Sequence, residues 1–218
     1  MTTFALIRHA SHGLVGHTIV GRMPGVPLSL KGRDEAAALA RQLEGSPIQA
    51  LYSSPLERAR ATAAHIADGL CLEVQIAEEL NEIDYGQWTN RALAELRDIP
   101  EWRRFNRFRS GSPIPDGESM IEVQDRMLRL IEHLCATHPE QMVALVSHGD
   151  VIKATLAYYL GVPLDLFQRI EISPASLSIV RVERYGPEVL LINGLVEERL
   201  LQSQIAAPGP THDAEQER

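Results

Sequence analysis

Three short apolar runs in this chain each end directly in a polar cluster. Runs of this length are typical of buried strands, and helical patterns lie between them. Alternating strands and helices favour an α/β fold with a largely parallel sheet covered on both faces. Because the carboxyl ends of such strands line one crevice, the three clusters are predicted to meet there. The runs are residues 3–7, 50–52 and 142–147, and the clusters are Arg8-His9, Ser53 to Arg58 and Ser147-His148-Gly149.

Helix signals fill most of the intervals between these runs. Serine is a common helix cap, and proline suits the first helical position because its missing N–H costs nothing there. Helices are therefore predicted at Ser29 to about Leu43, Ser54 to about Asp68, Ser119 to His138 and His148 to about Leu160, with one or two more across 89–111. Further strands are predicted at 74–76, 177–182 and 188–192. One domain over 1–205 would then precede a disordered tail, 206–218, that is rich in proline, glycine and charge.

The charge balance argues against one large class of partners. With 29 acidic and 21 basic side chains the net charge is −8, so no global positive field would attract nucleic acid. A small phosphorylated substrate stays compatible with this charge, because a local arginine pocket can oppose the overall sign. Two cysteines, the lack of a secretory leader and the lack of a membrane-length apolar segment predict a soluble, cytoplasmic protein with no membrane partner. The oligomeric state stays open, with a homodimer among the alternatives.

His9 is the first candidate for chemistry. A histidine directly after a buried strand is held rigidly at the crevice. If Nδ1–H donates to a backbone carbonyl, Nε2 is free to attack an electrophile. Taken alone, the position favours a histidine that only satisfies backbone groups at a strand end.

Three further residues favour the chemical interpretation. Arg8 adjoins His9, Arg58 lies one turn into a predicted helix, and His148 precedes another helix. Two guanidinium groups can bind phosphate oxygens in bidentate fashion, and the helix start at Gly149 adds backbone N–H donors. A protonated His148 would add a charged donor. Such a pocket suits the charge that moves onto the equatorial oxygens during phosphoryl transfer.

Cleavage of a phosphate ester also requires a proton for the leaving oxygen. Glu82 is the best candidate acid, and Asp84 in the same segment is the second. A carboxyl group near phosphate charge should have a raised pKa, as this role demands. It would then act as a base toward the water that hydrolyses the phosphoenzyme. The alternative for Glu82 is an ordinary exposed loop carboxylate.

Five blocks in this chain resemble the histidine phosphatase superfamily, which has the phosphoglycerate-mutase-like fold. They occur in the family's order and span most of residues 4–160. The blocks are Leu6-Ile-Arg-His-Ala10, Ser53-Ser-Pro-Leu-Glu-Arg-Ala-Arg-Ala-Thr62, Leu80-Asn-Glu-Ile-Asp-Tyr-Gly-Gln-Trp88, Pro115-Asp-Gly-Glu-Ser119 and Val146-Ser-His-Gly149.

The resemblance implies a three-layer α/β/α fold and a phosphomonoesterase of the histidine acid phosphatase type. It implies His9 as the nucleophile that forms a phosphohistidine, and Glu82 as the proton donor. It places the phosphate between Arg8, Arg58 and His148. Neither a metal nor another cofactor is expected.

The chain departs from the family pattern after the nucleophile. The family commonly has Gly, then Glu or Gln, then Thr, with an Asn a few residues on, whereas this chain has Ala10-Ser-His-Gly13 and no Asn at 15 or 16. His12, His17 and Arg22 are alternative substrate contacts, although the pattern favours a surface loop residue for each. Ser119 matches a block near the family's substrate, and simple helix capping explains it equally well.

Residues 89–118 contain a candidate lid. Trp102, Phe105 and Phe108 recur at three-residue spacing with arginines between them, over 97–109. As a lid, these arginines would meet an acidic substrate. As ordinary packing, the aromatic face lies in the core and the arginines are solvated.

Two other functions compete with phosphomonoester hydrolysis. A phosphoglycerate mutase would share the first half-reaction, but such enzymes carry an Arg-His-Tyr-Gly stretch after the glutamate where this chain has Ile83-Asp-Tyr-Gly86. A non-catalytic phospho-ligand-binding domain would be expected to lack His9 or Glu82, and both are present. The sequence therefore favours a hydrolase of small phosphorylated substrates.

Overall fold

A computed structural model describes residues 1–195, and these form a six-stranded sheet between two layers of helices. The strands are β1 (Thr2–Arg8), β2 (Ile48–Ser53), β3 (Val74–Ile76), β4 (Met142–Ser147), β5 (Leu177–Glu183) and β6 (Gly186–Gly194). Their order across the sheet is β3-β2-β4-β1-β5-β6. The first four run parallel, and β5 is antiparallel to both β1 and β6. The predicted mostly parallel sheet is confirmed.

Strand register brings the three polar clusters to one edge of the sheet. Arg8 at the end of β1 pairs with Ser147 at the end of β4, and Ser53 at the end of β2 pairs with Val146. The backbone N–H of His9 then donates to the carbonyl of Ser147 at 2.9 Å. The residues that follow the three strands are therefore neighbours, although about 140 positions separate the first from the last.

Six helices connect the strands within the described residues. They are α1 (Leu30–Leu43), α2 (Glu57–Leu70), α3 (Leu93–Leu96), α4 (Pro100–Arg107), α5 (Met120–Thr137) and α6 (Gly149–Tyr159). Short 3₁₀ turns lie at Glu78–Leu80, Gly86–Trp88 and Leu164–Arg169.

The central strands supply apolar side chains to both faces of the sheet. In β1, Phe4 and Leu6 join the core under α5 and α6, whereas Ala5 and Ile7 join the core under α1 and α2. A strand alternates its side chains between faces, so an uninterrupted apolar run is what a strand covered on both sides requires. The three-layer α/β/α arrangement follows.

The predicted start of the second helix is wrong. Helix α2 begins at Glu57 and not at Ser54-Pro55, and the cap residue, Leu56, has no side-chain hydrogen bond. The Ser54 hydroxyl lies instead 2.8 Å from Nε2 of His148 and accepts from the N–H of Leu56 at 3.3 Å. A tertiary contact thus uses the group that the local pattern assigned to capping. Ser29 does cap α1, as predicted, by accepting from the N–H of Gly32.

The aromatic segment follows the packing interpretation in part. Phe105 is fully buried and Trp102 packs against the core, but Phe108 is 45% exposed. The reason is that α4 ends at Arg107, so Phe108 leaves the helical face shared by the other two rings. Most arginines of the segment are solvated, whereas Arg109 is buried.

No helix in residues 1–195 is both long and apolar enough to cross a lipid bilayer. Residues 196–205 of the predicted domain, and the predicted disordered tail 206–218, lie outside the described residues.

Candidate active site

His9 lies at the end of β1, where both ring nitrogens have defined surroundings. Its side chain is buried, and Nδ1 lies 2.8 Å from the carbonyl oxygen of Ala10. A carbonyl only accepts, so the ring proton sits on Nδ1 and the lone pair on Nε2. The N–H of Ala10 in turn donates to Thr62 Oγ1 on α2 at 3.0 Å. The ring is therefore held with its nucleophilic nitrogen directed away from the strand.

Arg58 extends from the first turn of α2 to this nitrogen. It is only 2% exposed, and its Nε–H donates to Nε2 of His9 at 3.3 Å. A second guanidinium N–H donates to the carbonyl of Gly21 at 2.7 Å. A buried, permanent cation thus lies against the lone pair of His9.

Arg8 supplies a second guanidinium group. One of its terminal nitrogens donates to the carbonyl of Ile172 at 2.6 Å, while Nε is buried and has no partner within residues 1–195. Gly149 permits this placement, because a Cβ there would lie 3.3 Å from both Nε and Cζ of Arg8. Any side chain at 149 would press on the guanidinium group at the start of α6.

His148 lies beside His9. Its side chain is fully buried, and the two ring centroids are 5.0 Å apart. Nε2 contacts Ser54 as described, whereas Nδ1 is buried without a hydrogen-bond partner in the described part of the chain. The nearest charged oxygen to Nδ1 is Oε2 of Glu82, at 3.9 Å.

Burial disfavours the charged form of both imidazoles. The pKa of His9 is well below its usual value because of desolvation and the nearby Arg58. Desolvation, followed by the His9 ring and then Arg58, likewise lowers the pKa of His148. A further positive charge beside the two guanidinium groups is costly without an anion, which favours the uncharged His148 ring in the free protein. The positive charge of the crevice comes from the two arginines.

Glu82 is held on the loop after β3 with a raised proton affinity. Burial and the neighbouring Asp150 raise its pKa to about 7, against the opposing effect of Arg58. Its Oε1 accepts from the N–H of Ile83 at 3.0 Å, while Oε2 faces His148. A carboxyl group with this pKa can both give and take a proton near neutral pH.

A network around Glu118 fixes the loop that carries Glu82. Arg22 donates to the backbone carbonyl of Glu82 at 2.7 Å and to Glu118 at 2.8 Å. Arg126 on α5 binds the same carboxylate at 2.7 Å and also donates to the carbonyl of Glu79. Arg22 was expected to contact substrate, but at least two of its donors position the Glu82 loop.

Several other candidate residues have structural roles. Asp84 Oδ1 accepts from the N–H of Gly86 at 2.9 Å, which stabilises the turn. Ser119 caps α5 in a reciprocal capping box with Glu122, so its hydroxyl serves the helix and the capping interpretation is the one observed. His17 is an exposed loop residue. His12, in contrast, is buried with its ring stacked on that of His9 at a centroid distance of 5.5 Å.

Sequence analysis missed the partners behind these groups. Asp150, one residue after Gly149, accepts from the Tyr85 hydroxyl at 2.8 Å and from Arg109 at 3.4 Å. Arg109 in turn lies between the rings of Phe105 and Phe167, at 4.4 and 4.5 Å. The adjacency of Asp150 to the His-Gly pair was the one local signal for its involvement.

No group of three or more His, Cys, Asp or Glu side chains that could hold a metal ion occurs in the described range 1–195.

The model of the histidine phosphatase superfamily (branch 1) matches residues 4–194, which includes every side chain described above. The chain belongs to this superfamily. Phosphoserine phosphatase 1 of Hydrogenobacter thermophilus is 32% identical over 88% of this chain and 92% of its own length. A probable phosphoglycerate mutase, GpmB, of Cronobacter sakazakii is 31% identical over 88% and 89%.

Among solved structures, the H9A mutant of Entamoeba histolytica phosphoserine phosphatase, in complex with phosphoserine, is similar with a TM-score of 0.82. It is 25% identical, and the match covers 92% of this chain and all of that one. The phosphoglycerate-mutase-like fold is thereby confirmed, and phosphatases of this superfamily share it nearly end to end with this chain.

Proposed function

We propose that this histidine phosphatase superfamily member is a phosphomonoester hydrolase that uses His9 as its nucleophile and forms a phosphohistidine. The observation that carries the proposal is the meeting of Arg8, Arg58 and His148 at the ring of His9, with the carboxyl group of Glu82 3.9 Å from His148. The buried cation of Arg58 and the half-buried cation of Arg8 beside an uncharged nucleophile suit a tetrahedral anion.

The substrate phosphate binds between the two guanidinium groups. Nε of Arg8 has no partner in residues 1–195, and Nε of Arg58 currently donates to the lone pair of His9. Both N–H groups would turn to phosphate oxygens, in charge-assisted hydrogen bonds that are stronger than neutral ones. His148 adds a donor, and an anion beside it raises its proton affinity. The same contacts strengthen as charge builds on the equatorial oxygens in the transition state.

In the first step Nε2 of His9 attacks phosphorus and the bond from phosphorus to the ester oxygen breaks. Glu82, whose pKa of about 7 leaves a substantial protonated fraction near neutral pH, gives its proton to the departing alkoxide. The alcohol leaves, the phosphoryl group stays on Nε2, and Glu82 becomes a carboxylate. The hydrogen bond from Nδ1 to Ala10 fixes the ring during the attack.

In the second step water attacks the same phosphorus and the bond from phosphorus to Nε2 breaks. The Glu82 carboxylate takes a proton from the water as it attacks. Inorganic phosphate leaves, and both His9 and the acid return to their starting protonation states. The arginines supply the positive charge throughout, so the scheme requires no metal ion.

The substrate class is a small phosphomonoester. The relative from Hydrogenobacter thermophilus is named phosphoserine phosphatase 1, and the Entamoeba histolytica phosphatase was solved with phosphoserine. Phosphoserine is therefore the first compound for a panel of phosphomonoesters, assayed with excess chelator.

The decisive experiment is covalent labelling by a ³²P-phosphorylated substrate after rapid acid-free quenching. Wild-type protein should take up label that is stable to alkali and labile to acid, as a phosphohistidine is, and His9→Ala should take up none. His133→Ala, an exposed position on α5, is the matched control and should label normally. Undiminished turnover by His9→Ala would reject the scheme.

A phosphoglycerate mutase is the second candidate, favoured by the 31% identity to a probable phosphoglycerate mutase. It would return the phosphoryl group from His9 to the bound product instead of to water. Incubation with 3-phosphoglycerate distinguishes the two, since a mutase yields 2-phosphoglycerate and a hydrolase yields inorganic phosphate.

A further inference from the structure

His12 forms a third imidazole at the nucleophile. Its ring lies against that of His9 with 5.5 Å between centroids and 29° between planes, and only 9% of the residue is exposed. The two rings lie three residues apart on the loop that leaves β1. Because the family commonly has threonine at this position, His12 is a feature of this chain and not of the family pattern.

The backbone around His12 is held firmly. His12 forms an isolated antiparallel bridge with Leu28, and Ser11 donates from its N–H to Glu35 at 2.8 Å. Gly32 at the start of α1 packs so closely that a Cβ there would lie 1.9 Å from the carbonyl oxygen of Ser11. The backbone that carries the ring is therefore held by α1 and by Leu28.

The hydrogen bond to Leu14 defines the tautomer. The N–H of Leu14 donates to Nδ1 of His12 at 3.2 Å, so Nδ1 carries the lone pair and the proton is on Nε2. Burial, then Arg58 and Arg8, lower the pKa of His12 to about 4. Near neutral pH the residue is thus an uncharged N–H donor beside the two arginines.

We propose that His12 is a phosphate ligand, whose Nε2–H donates to an oxygen of the phosphoryl group as it moves between the substrate and His9. The inference rests on the proposed function and deepens it. A neutral donor suits this place, because a charged side chain stacked on His9 would withdraw basicity from the nucleophile. It also supplies a polar contact where the asparagine common in the family is missing, since residue 15 is valine.

Two substitutions separate the two nitrogens of the ring. In His12→Gln the side-chain N–H₂ falls near Nε2, so the phosphate donor is kept and the Leu14 contact is lost. In His12→Asn the amide oxygen falls near Nδ1, so the Leu14 contact is kept and the phosphate donor is lost. His17→Gln and His17→Asn, at an exposed histidine of the same loop, are the matched controls.

We expect His12→Asn to lower the single-turnover rate of His9 phosphorylation by about 10- to 100-fold, and to weaken inorganic phosphate binding similarly. His12→Gln should stay within about threefold of wild type by both measures. A rate in His12→Asn equal to or above that of His12→Gln would overturn the proposal, because the residue would then act only through the loop. Full activity in both variants would overturn it as well.

A second measurement uses the wild-type protein and does not depend on how the variants fold. Long-range ¹H–¹⁵N spectra should show His12 as the Nε2–H tautomer, and inorganic phosphate should shift its Nε2 resonance while that of His17 stays unchanged. An unshifted Nε2 at saturating phosphate contradicts the role of His12. If wild-type protein takes no label on His9, the proposed function fails; if it labels but His12→Asn does too at full rate, only this inference fails.

Discussion

Oε2 of Glu82 lies 3.9 Å from Nδ1 of His148, too far for a hydrogen bond and close enough for each group to alter the other's charge. Both groups are desolvated, which raises the pKa of the carboxyl group and lowers that of the imidazole. The two groups form no hydrogen bond with each other, so both remain available to bind a ligand. This unpaired arrangement is costly in an empty protein and useful when a phosphate ester occupies the gap.

The basicity of the leaving group should decide how strongly Glu82→Gln slows the phosphorylation of His9. Glutamine keeps the contact to the N–H of Ile83 but has no proton to give. For an alkyl phosphate such as phosphoserine, single-turnover phosphorylation of His9 should slow by about 10²- to 10⁴-fold. For p-nitrophenyl phosphate, whose leaving oxygen is far less basic, the loss should be much smaller.

Glu79→Gln is the control, because this neighbouring glutamate has an exposed side chain. It should leave both rates unchanged. Equal losses for the two substrates in Glu82→Gln would show that the residue holds the pocket together and does not protonate the leaving group.

The pH dependence should follow Glu82 in opposite directions for the two steps. Phosphorylation of His9 needs the protonated acid, so its rate should fall as pH rises through about 7. Hydrolysis of the phosphoenzyme needs the carboxylate and should rise over the same range. The charge of Asp150 contributes to the raised pKa of Glu82. Asp150→Asn should therefore move both limbs of the pH profile, the fall in phosphorylation rate and the rise in hydrolysis rate, to lower pH.

Rapid-quench assays across pH 5 to 9 compare the wild-type protein with Asp150→Asn. Both proteins are assayed with the same substrate, so that titration of the substrate itself affects them equally. Asp98→Asn, which removes an exposed carboxylate paired with Arg103, should cause no shift. Limbs that coincide in wild type and Asp150→Asn would exclude Glu82 as the titrating group.

Ser54 should contribute to catalysis by setting the tautomer of His148. The hydroxyl accepts from the N–H of Leu56, so its own proton can go to Nε2 of His148, which keeps the ring proton on Nδ1. Ser54→Ala should lower kcat/KM by about 10-fold, and Ser54→Thr, which keeps a hydroxyl, should restore most of it. Ser53→Ala is the matched control, because the Ser53 hydroxyl donates only to the Ser54 carbonyl, at 2.9 Å. A larger loss in Ser53→Ala than in Ser54→Ala would contradict a specific role in setting the tautomer.

The sequence allowed the strand ends to be predicted because their signal is local. An apolar run that stops at a polar cluster marks both the strand and its edge, and parallel pairing brings such edges together. Burial of individual polar groups was harder to predict, since it depends on partners far along the chain. Ser54 resembled a helix cap until His148 was placed beside it, and Arg22 resembled a substrate ligand until Glu118 accepted its N–H. Nothing in the local pattern distinguishes buried Arg109 from exposed Arg107.

Arg109 provides a stability test of that last difference. Its side chain is 3% exposed, and its guanidinium group lies between two phenylalanine rings and pairs with Asp150, whose side chain is 20% exposed. Arg109→Met should lower the free energy of unfolding by about 2 to 4 kcal/mol, below the full cost of breaking a buried pair because Asp150 keeps some hydration. Arg107→Met, two residues earlier and exposed, should change it by no more than about 0.5 kcal/mol. Urea titrations followed by tryptophan fluorescence measure both. Equal effects would mean that Arg109 contributes no more to stability than a solvated arginine does, and that the segment after α4 is not anchored to α6 through Asp150.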